Sequence, residues 1–515
     1  MQPYCINKLK VDDLNDPEIP DHQDRLYKQQ DKHEYMMHFN FITIIARQEW
    51  ASIFRSKIPL ALFAVLLVVS LLATFTGWQY VSKFNHQQMA AHHQVHDQWL
   101  SQPNRHPHRV AHYGYMVFRE KSPLSFFDFG LDSYVGNSVF LEAHRQNTVN
   151  MSEAGFSNGM LRFGELSMAM VLQLLVPLFI IFIGFQTVAG LKQNGVLKIM
   201  LCQRASCLDI LMGKAAGITG VVWILFLPLL LLCLLAGHLL IAGAISADAI
   251  FRIVLLTIFY ALYFLIITML AVTVSAVSKS SKNALMALVL IWMLFFIVIP
   301  KSAQTLGSSL HAAPDKISFE QAIEADVSKQ GDSHNPDDPH FSQLKATTLK
   351  KYGVDSVSAL PVNYGALVMQ EGENISSGIF NKHFDHLISI YKSQNAVSSI
   401  LGFTDPYLAI RDLSMNLSGT DFETFAAFQK QTEKYRFEKT KKLNEIHLTQ
   451  IKYQNDSRQK VSAKNWQQQP DFAFQPVSIT NNLCAGSFSL AALLLWVAAG
   501  FGALTYVSSK REYQL

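Results

Sequence analysis

Charge is scarce in this 515-residue sequence: Asp, Glu, Lys and Arg together make up 16%, against about 25% in an average soluble protein. The 43 basic and 39 acidic residues leave a net charge of +4. Over this length that is no nucleic-acid footprint. Half of the residues are hydrophobic and 35 are Phe, which excludes a disordered chain, a coiled coil and an ordinary soluble enzyme. Catalytic motifs are missing too. A P-loop needs GxxxxGK followed by Ser or Thr, so that backbone amides and the Lys cradle phosphate. Gly190 and Gly195 have the spacing but are followed by Val196 and Leu197, and Gly213-Lys214 is followed by Ala215. HExxH and CxxC metal pairs are absent, and with them the usual zinc sites. The sequence therefore predicts no catalytic residue and no cofactor site, and no nucleotide hydrolysis by this chain. The five cysteines (Cys5, Cys202, Cys207, Cys233, Cys484) suggest no disulfide framework, so the fold rests on packing.

What is present is long uncharged runs. A hydrocarbon core of about 30 Å takes roughly 20 apolar residues of helix. Residues 58–78, 166–190, 215–243, 253–278, 284–300 and 485–508 qualify, and none of them holds Asp, Glu, Lys or Arg. Pro59 stands in the first turn of the first run, and Pro300 is expected to close the fifth. The expected fold class is mainly α: a polytopic membrane protein with six transmembrane helices. Arg47, Arg55 and Lys57 precede the first span. Lys192, Lys198, Arg204 and Lys214 lie between the second and third. Lys279 and Lys282 lie between the fourth and fifth, and Lys510 and Arg511 follow the sixth. The positive-inside rule puts these segments, and both termini, in the cytoplasm. Residues 79–165 and 301–484 become two extracytoplasmic, mostly helical regions; long loops cross regardless of their charge.

Residues 1–37 read as a polar cytoplasmic tail, in which Met36 and Met37 offer alternative starts. Over 38–57, Phe41, Ile44, Ile45, Trp50 and Phe54 recur near helical spacing with Arg47, Glu49 and Arg55 between them, the pattern of an amphipathic interfacial helix. The loop 191–214 is short and positively flanked. Gly195 starts a turn, Val196 to Leu201 give an apolar helix face, and Ser206 with Asp209 can cap the next helix. Such a helix is something a soluble partner can push on. The first exported region opens with His86, His92, His93 and His96, followed by His106, His108 and His112. Imidazoles one turn apart can share Zn²⁺ or Cu²⁺. Without a Cys or a spaced carboxylate set, the His86–His96 group reads as surface histidines, and no metal site is assigned. His238 is the one ionisable group well inside a span, and Gln173 and Gln186 are positioned to hydrogen-bond between helices.

Six spans, an interfacial helix before the first and a cytoplasmic loop after the second resemble an ABC-2-type transporter permease. Further blocks resemble its bacterial DUF3526 branch. One is His106 to Asn147, with Ala111-His112-Tyr113-Gly114, Ser122-Pro123-Leu124, Gly130 and Leu141-Glu142-Ala143-His144. Another is Asp405-Pro406, Ser414-Met415, Gly419-Thr420-Asp421 and Phe428 to Tyr435-Arg436. Trp466, Phe472 and Phe474 form a third. The resemblance spans about 40 to 510 and extends to the cytoplasmic loop through Gly195, Leu197, Leu201, Ser206, Leu211, Gly213 and Lys214. Gln193 and Asn194 stand where relatives carry an acidic residue. The resemblance implies a permease subunit, an exporter in the bacterial inner membrane, driven by a separate ATPase subunit that docks on the cytoplasmic face. Gly195, Leu197, Leu201, Arg204, Gly213 and Lys214 would carry the coupling. A second permease chain, identical or a similar paralogue, would complete the pathway in the lipid bilayer, and a periplasmic partner could bind the exported regions. The alternative is a non-transporting membrane assembly or sensor protein that acts through those regions.

Overall fold

The computed structural model describes residues 39–148, 166–203, 205–333, 335 and 337–512. The expected polar tail, residues 1–37, lies outside these. That helix, α1 (Phe39–Arg55), ends at Ser56, whose extended backbone (φ −83°, ψ 128°) separates it from α2 (Lys57–Leu100). Pro59 fits the first turn of α2 because its missing N–H would have had no helical acceptor there. α2 runs on past Trp78, where the apolar stretch ends, to Leu100. At 1.5 Å per residue the extra length is about 33 Å. A short helix α3 (Pro107–Ala111) and an antiparallel hairpin follow, β1 (Tyr115–Phe118) with β2 (Ser138–Leu141), Tyr115 opposite Leu141. Then come α4 (Met168–Gln193), α5 (Val196–Cys202), α6 (Cys207–Ala242), α7 (Ala247–Val277) and α8 (Ser281–Leu310). The remainder is α9 (Lys316–Gln330), α10 (Pro339–Tyr352), α11 (Tyr364–Leu401), α12 (Pro406–Ser418), α13 (Phe422–Gln450), α14 (Lys464–Gln467), α15 (Ile479–Ala485) and α16 (Ser487–Glu512).

Six of these helices, α2, α4, α6, α7, α8 and α16, are long and apolar enough to cross a membrane. Pro300 does not close the fifth. α8 continues through it to Leu310, because a π-helical turn at Leu294–Val298 directly precedes it. The same device occurs in α4, where a π turn at Val171–Leu175 precedes Pro177. A widened turn relieves the clash of the proline ring with the carbonyl four residues back. In α4 and α7 most of the apolar stretch is buried, whereas in α2, α8 and α16 the buried share is 17%, 17% and 22%. The last three therefore present apolar faces outward. Tyr260, Tyr263 and Phe264 of α7 are fully buried at the centre.

α1 lies against the first turns of α6. Gly213, Gly217 and Gly220 form a bare stripe there. A Cβ at Gly213 would come 2.7 Å from Ile45 Cβ, one at Gly217 2.8 Å from Glu49 Cβ, and one at Gly220 2.5 Å from the Trp50 ring. Small residues at helical spacing let two backbones approach this closely, and Trp50 Nε1 donates to Gly217 O at 2.7 Å.

At the other end of the bundle the two long connections fold into one body, here called the head. β1 and β2 pack on α13 around Trp99, Phe428 and Trp466, and Trp99 Nε1 donates to Trp466 O at 3.2 Å. Arg436 is buried in an ion pair with Glu373 and Glu433. The junction between head and bundle is α12. The chain leaves α11, turns at 402–405 and returns along α12 between α7 and α16. Trp496 Nε1 donates to Gly402 O at 3.1 Å, and the Tyr407 ring packs on Phe296 of α8 with centroids 4.7 Å apart. Trp496 sits nine residues into α16, so the turn reaches roughly 14 Å below the head of that helix.

Candidate functional site

The end of the bundle opposite the head carries the 185–214 segment, and local chemistry makes it stiff. The Val188 and Ala189 N–H groups donate to Ser275 Oγ at 3.1 and 3.0 Å, and that hydroxyl donates to Phe185 O at 2.8 Å. Lys192 Nζ donates to Ala276 O and, at 3.3 Å, to Ser278 O. Gln193 Oε1 accepts from the Ser281 N–H and hydroxyl at 3.0 and 2.7 Å, capping the start of α8 where an N–H lacks a helical partner. The segment is thus pinned to the end of α7 and the start of α8. Gly195 then takes φ +72° to open α5, a left-handed conformation that glycine adopts without steric cost.

α5 packs inward through Leu197, which is buried with Ile45, Ala205 and Ile210, while Leu201 is half-buried beside them. Ser206 and Asp209 form a capping box at the start of α6, each side chain accepting from the other's N–H at 3.0–3.1 Å. Lys214 is buried and donates to Glu49 Oε2 at 2.5 Å, and Glu49 Oε1 accepts from Thr187 Oγ1 at 2.8 Å. α1, α4 and α6 therefore meet on one carboxylate. Of the residues singled out from sequence, Leu197, Gly213 and Lys214 sit in this packed unit, Gly195 hinges it and Leu201 borders it. Arg204 lies outside the described residues. The side chains that α5 offers to solvent are others: Val196 and Ile199, which is 59% exposed, with Lys198 between them. This exposed apolar pair on a short helix is a contact surface that the sequence alone does not single out.

At the head end a polar chain crosses the bundle. Gln173 Nε2 donates to Tyr260 Oη at 2.8 Å, Tyr260 Oη lies 3.1 Å from Ser414 Oγ, and that hydroxyl donates to Asp128 Oδ2 at 2.5 Å. It links α4, α7, α12 and the segment before β2. Burial pushes the Asp128 carboxyl above its usual range, against hydrogen bonds from Ser414 and the Gly130 N–H that pull it down. Gln173 thus makes the interhelical bond its position suggested, while Gln186 is exposed in a turn. Beside this chain is a cleft of about 500 Å³ lined by Arg119, Lys121, His238, Arg252 and Phe474, among others. Arg252 ties its rim, donating to Asp248 Oδ2, Leu417 O and Val477 O at 2.7, 3.2 and 3.0 Å.

The histidines singled out between residues 86 and 112 fall into two places, and His86 lies on α2 with the first of them. His92 and His96 lie on α2 and both pair with Asp471, at 2.9 and 3.2 Å, so the ion-pair partner is one carboxylate from the chain before α15. His93 is exposed on the same helix. His106, His108, His112, His144 and His447 converge elsewhere in the head. There His108, His112 and His144 form one group and His106, His447 and Asp456 another, each with ligand atoms within 4.8 Å of one another. His144 and His447 are too distant in sequence for spacing to have joined them.

Residues 316–475 match a family model described as a domain of unknown function, DUF3526. The match covers the longer limb of the head and none of the six span-length helices. A comparison with curated proteins finds no match.

Proposed function

We propose that the chain is the permease subunit of an ABC-2-type transporter, an exporter in the bacterial inner membrane whose fuel is hydrolysed by a separate ATPase subunit. Both termini and α5 face the cytoplasm, and the head faces the other side. The observation that carries this reading is the α1–α5–α6 unit. It is a short helix with an apolar exposed edge, packed without slack on a docked amphipathic helix and on the base of a span. A push on Val196 and Ile199 moves Leu197 against Ile45, and the Glu49–Lys214 pair passes the displacement into α6. That helix has 36 residues, about 54 Å at 1.5 Å per residue, and its far end brings His238 to the cleft under the head. Pro228, inside α6, removes one helical hydrogen bond and gives the lever a point of bending. The outward apolar faces of α2, α8 and α16 supply the surface for lipid and for a second permease chain. The DUF3526 match is compatible with a membrane permease.

The test is copurification from native membranes followed by ATPase assay. A Walker-type ATPase should accompany the chain and gain activity with it. Val196→Asp with Ile199→Asp should abolish that gain while leaving expression and melting intact, since both side chains are exposed. Unchanged stimulation in the double variant contradicts the role of α5. ATPase association without flux in reconstituted vesicles points instead to the assembly or sensor role.

A further inference from the structure

We propose that His108, His112 and His144 bind a divalent transition-metal ion of the imidazole-preferring kind, for which Zn²⁺ is the probe. The site lies in the head, far from the coupling helix, and stands whether or not the chain is a permease. His108 and His112 are one turn apart at the two ends of α3, which Pro107 starts and the His106 side chain caps. His144 arrives from the turn after β2. The three rings form a tight triangle, with centroids 4.5, 5.3 and 5.5 Å apart.

Three observations distinguish this trio from a chance cluster. His144 has φ +61° and is the one non-glycine residue with a positive φ among those described. Left-handed backbone outside glycine is held only where its surroundings enforce it, and such residues gather at functional sites. What enforces it here is Glu373, fully buried, whose Oε2 accepts the His144 N–H at 3.0 Å and lies 3.5 Å from Nδ1. Glu373 is itself fixed by the ion pair with Arg436 at 2.5 Å. A carboxylate against one ring nitrogen selects the tautomer that presents the other to a metal. Finally, His108 Nδ1 is buried with no hydrogen-bond partner.

The neighbouring trio is explained without an ion. Asp456 Oδ1 already receives His447 Nε2 at 2.6 Å and Asn363 Nδ2 at 2.6 Å, and His106 Nδ1 is occupied by the His108 N–H at 3.2 Å. Those three residues buttress the wall behind His108. Three nitrogens bound to zinc at 2.0–2.1 Å stand roughly 3.4 Å apart in a tetrahedron. The present spacing, within 4.8 Å, is wider than that, so the three rings draw together when the ion binds, with His112 exposed and free of close packing on one side. Its exposure also leaves the fourth position open to water or to a ligand of the ion.

The test uses the full chain in detergent, purified without a histidine tag and stripped with chelator. Zn²⁺ is titrated against a chromophoric chelator, and Co²⁺ is added separately to read the visible bands of a tetrahedral site. The expected result is one tight equivalent in the native chain and in His93→Gln, an exposed histidine of α2. His112→Gln, at an exposed position, and His144→Asn, which keeps a residue tolerant of left-handed backbone, should each weaken binding at least tenfold and bleach the cobalt spectrum. Equal titration of native chain and His112→Gln overturns the proposal, as does binding that survives His112→Gln but is lost in Asp456→Asn. Failure of the native chain to retain any ion against the chelator overturns it as well.

Discussion

Lys214→Met should release α1 from the bundle. Glu49 and Lys214 are 7% and 6% exposed, and their charged atoms are 2.5 Å apart. With Lys214 gone, the carboxylate stays buried with Thr187 Oγ1 as its neighbour at 2.8 Å. Breaking one side of a buried ion pair costs about 3–5 kcal/mol. At 1.36 kcal/mol per decade, the undocked fraction of α1 should rise by roughly two to four orders of magnitude. Replacing both partners, Glu49→Leu with Lys214→Met, leaves no stranded charge and should recover most of the loss, since apolar replacements of buried pairs are often close to neutral. Arg47, on the exposed face of α1, provides the assay. Trypsin cuts there only when the helix opens, and its rate follows the open population while closing is fast. The rate should climb at least 100-fold for Lys214→Met and return to within about tenfold of native for the double variant. Equal cleavage of native chain and Lys214→Met, or no recovery in the double variant, would refute the reasoning.

Other predictions concern packing and pH. Gly217→Ala puts a methyl 2.8 Å from Glu49 Cβ and 3.1 Å from Ala46 O. It should weaken α1 docking by about 1–3 kcal/mol, the range for overpacking, read by the same trypsin assay. Gly502→Ala, with open space at the added Cβ, should change nothing. Tyr260→Phe cuts the chain from Gln173 to Ser414 and strands buried polar groups, lowering the melting stability by about 1–3 kcal/mol. Asp421, which caps α13, has its carboxyl pushed up to about 6 by burial, partly offset by hydrogen bonds from Thr424. The folded state therefore takes up this proton before the unfolded chain does. Its contribution to stability should grow by about 3 kcal/mol as pH falls from above 6 to below 4. A pH series of thermal melts should show that gain in the native chain and not in Asp421→Asn.

The spans were legible because an uncharged run of about 20 residues has few alternatives to a membrane helix. The break at Ser56 was legible too, since an amphipathic pattern gives way there to a run that is apolar all round. α12 was not. It is 13 residues long and includes Arg411 and Asp412, so no hydropathy window picks it out. Its position comes from contacts with Trp496, Phe296 and Tyr260 made only in the folded chain. Pro300 misled because a π turn that rescues a proline has no sequence mark of its own. The polar half of α2 is helical for a tertiary reason: His92, His96 and Trp99 find their partners at Asp471 and Trp466. At the candidate coupling surface the inward residues were easier to read than the outward ones. Gly195, Leu197 and Gly213 follow from turn chemistry and periodicity, but whether Ile199 or Leu201 faces solvent depends on where α1 lies. The His108–His112 spacing was visible, whereas His144 and Glu373 meet only through the turn after β2 and the middle of α11.

The account requires that α5 and the head lie on opposite faces of the membrane. The direct measurement is labelling with a membrane-impermeant maleimide, on a chain in which all five cysteines, Cys5, Cys202, Cys207, Cys233 and Cys484, are replaced by Ser. Single cysteines are then placed at Lys198 and Lys434, both exposed. The account predicts that spheroplasts label Lys434→Cys at once and Lys198→Cys only after permeabilisation; labelling of both positions under the same condition would contradict it.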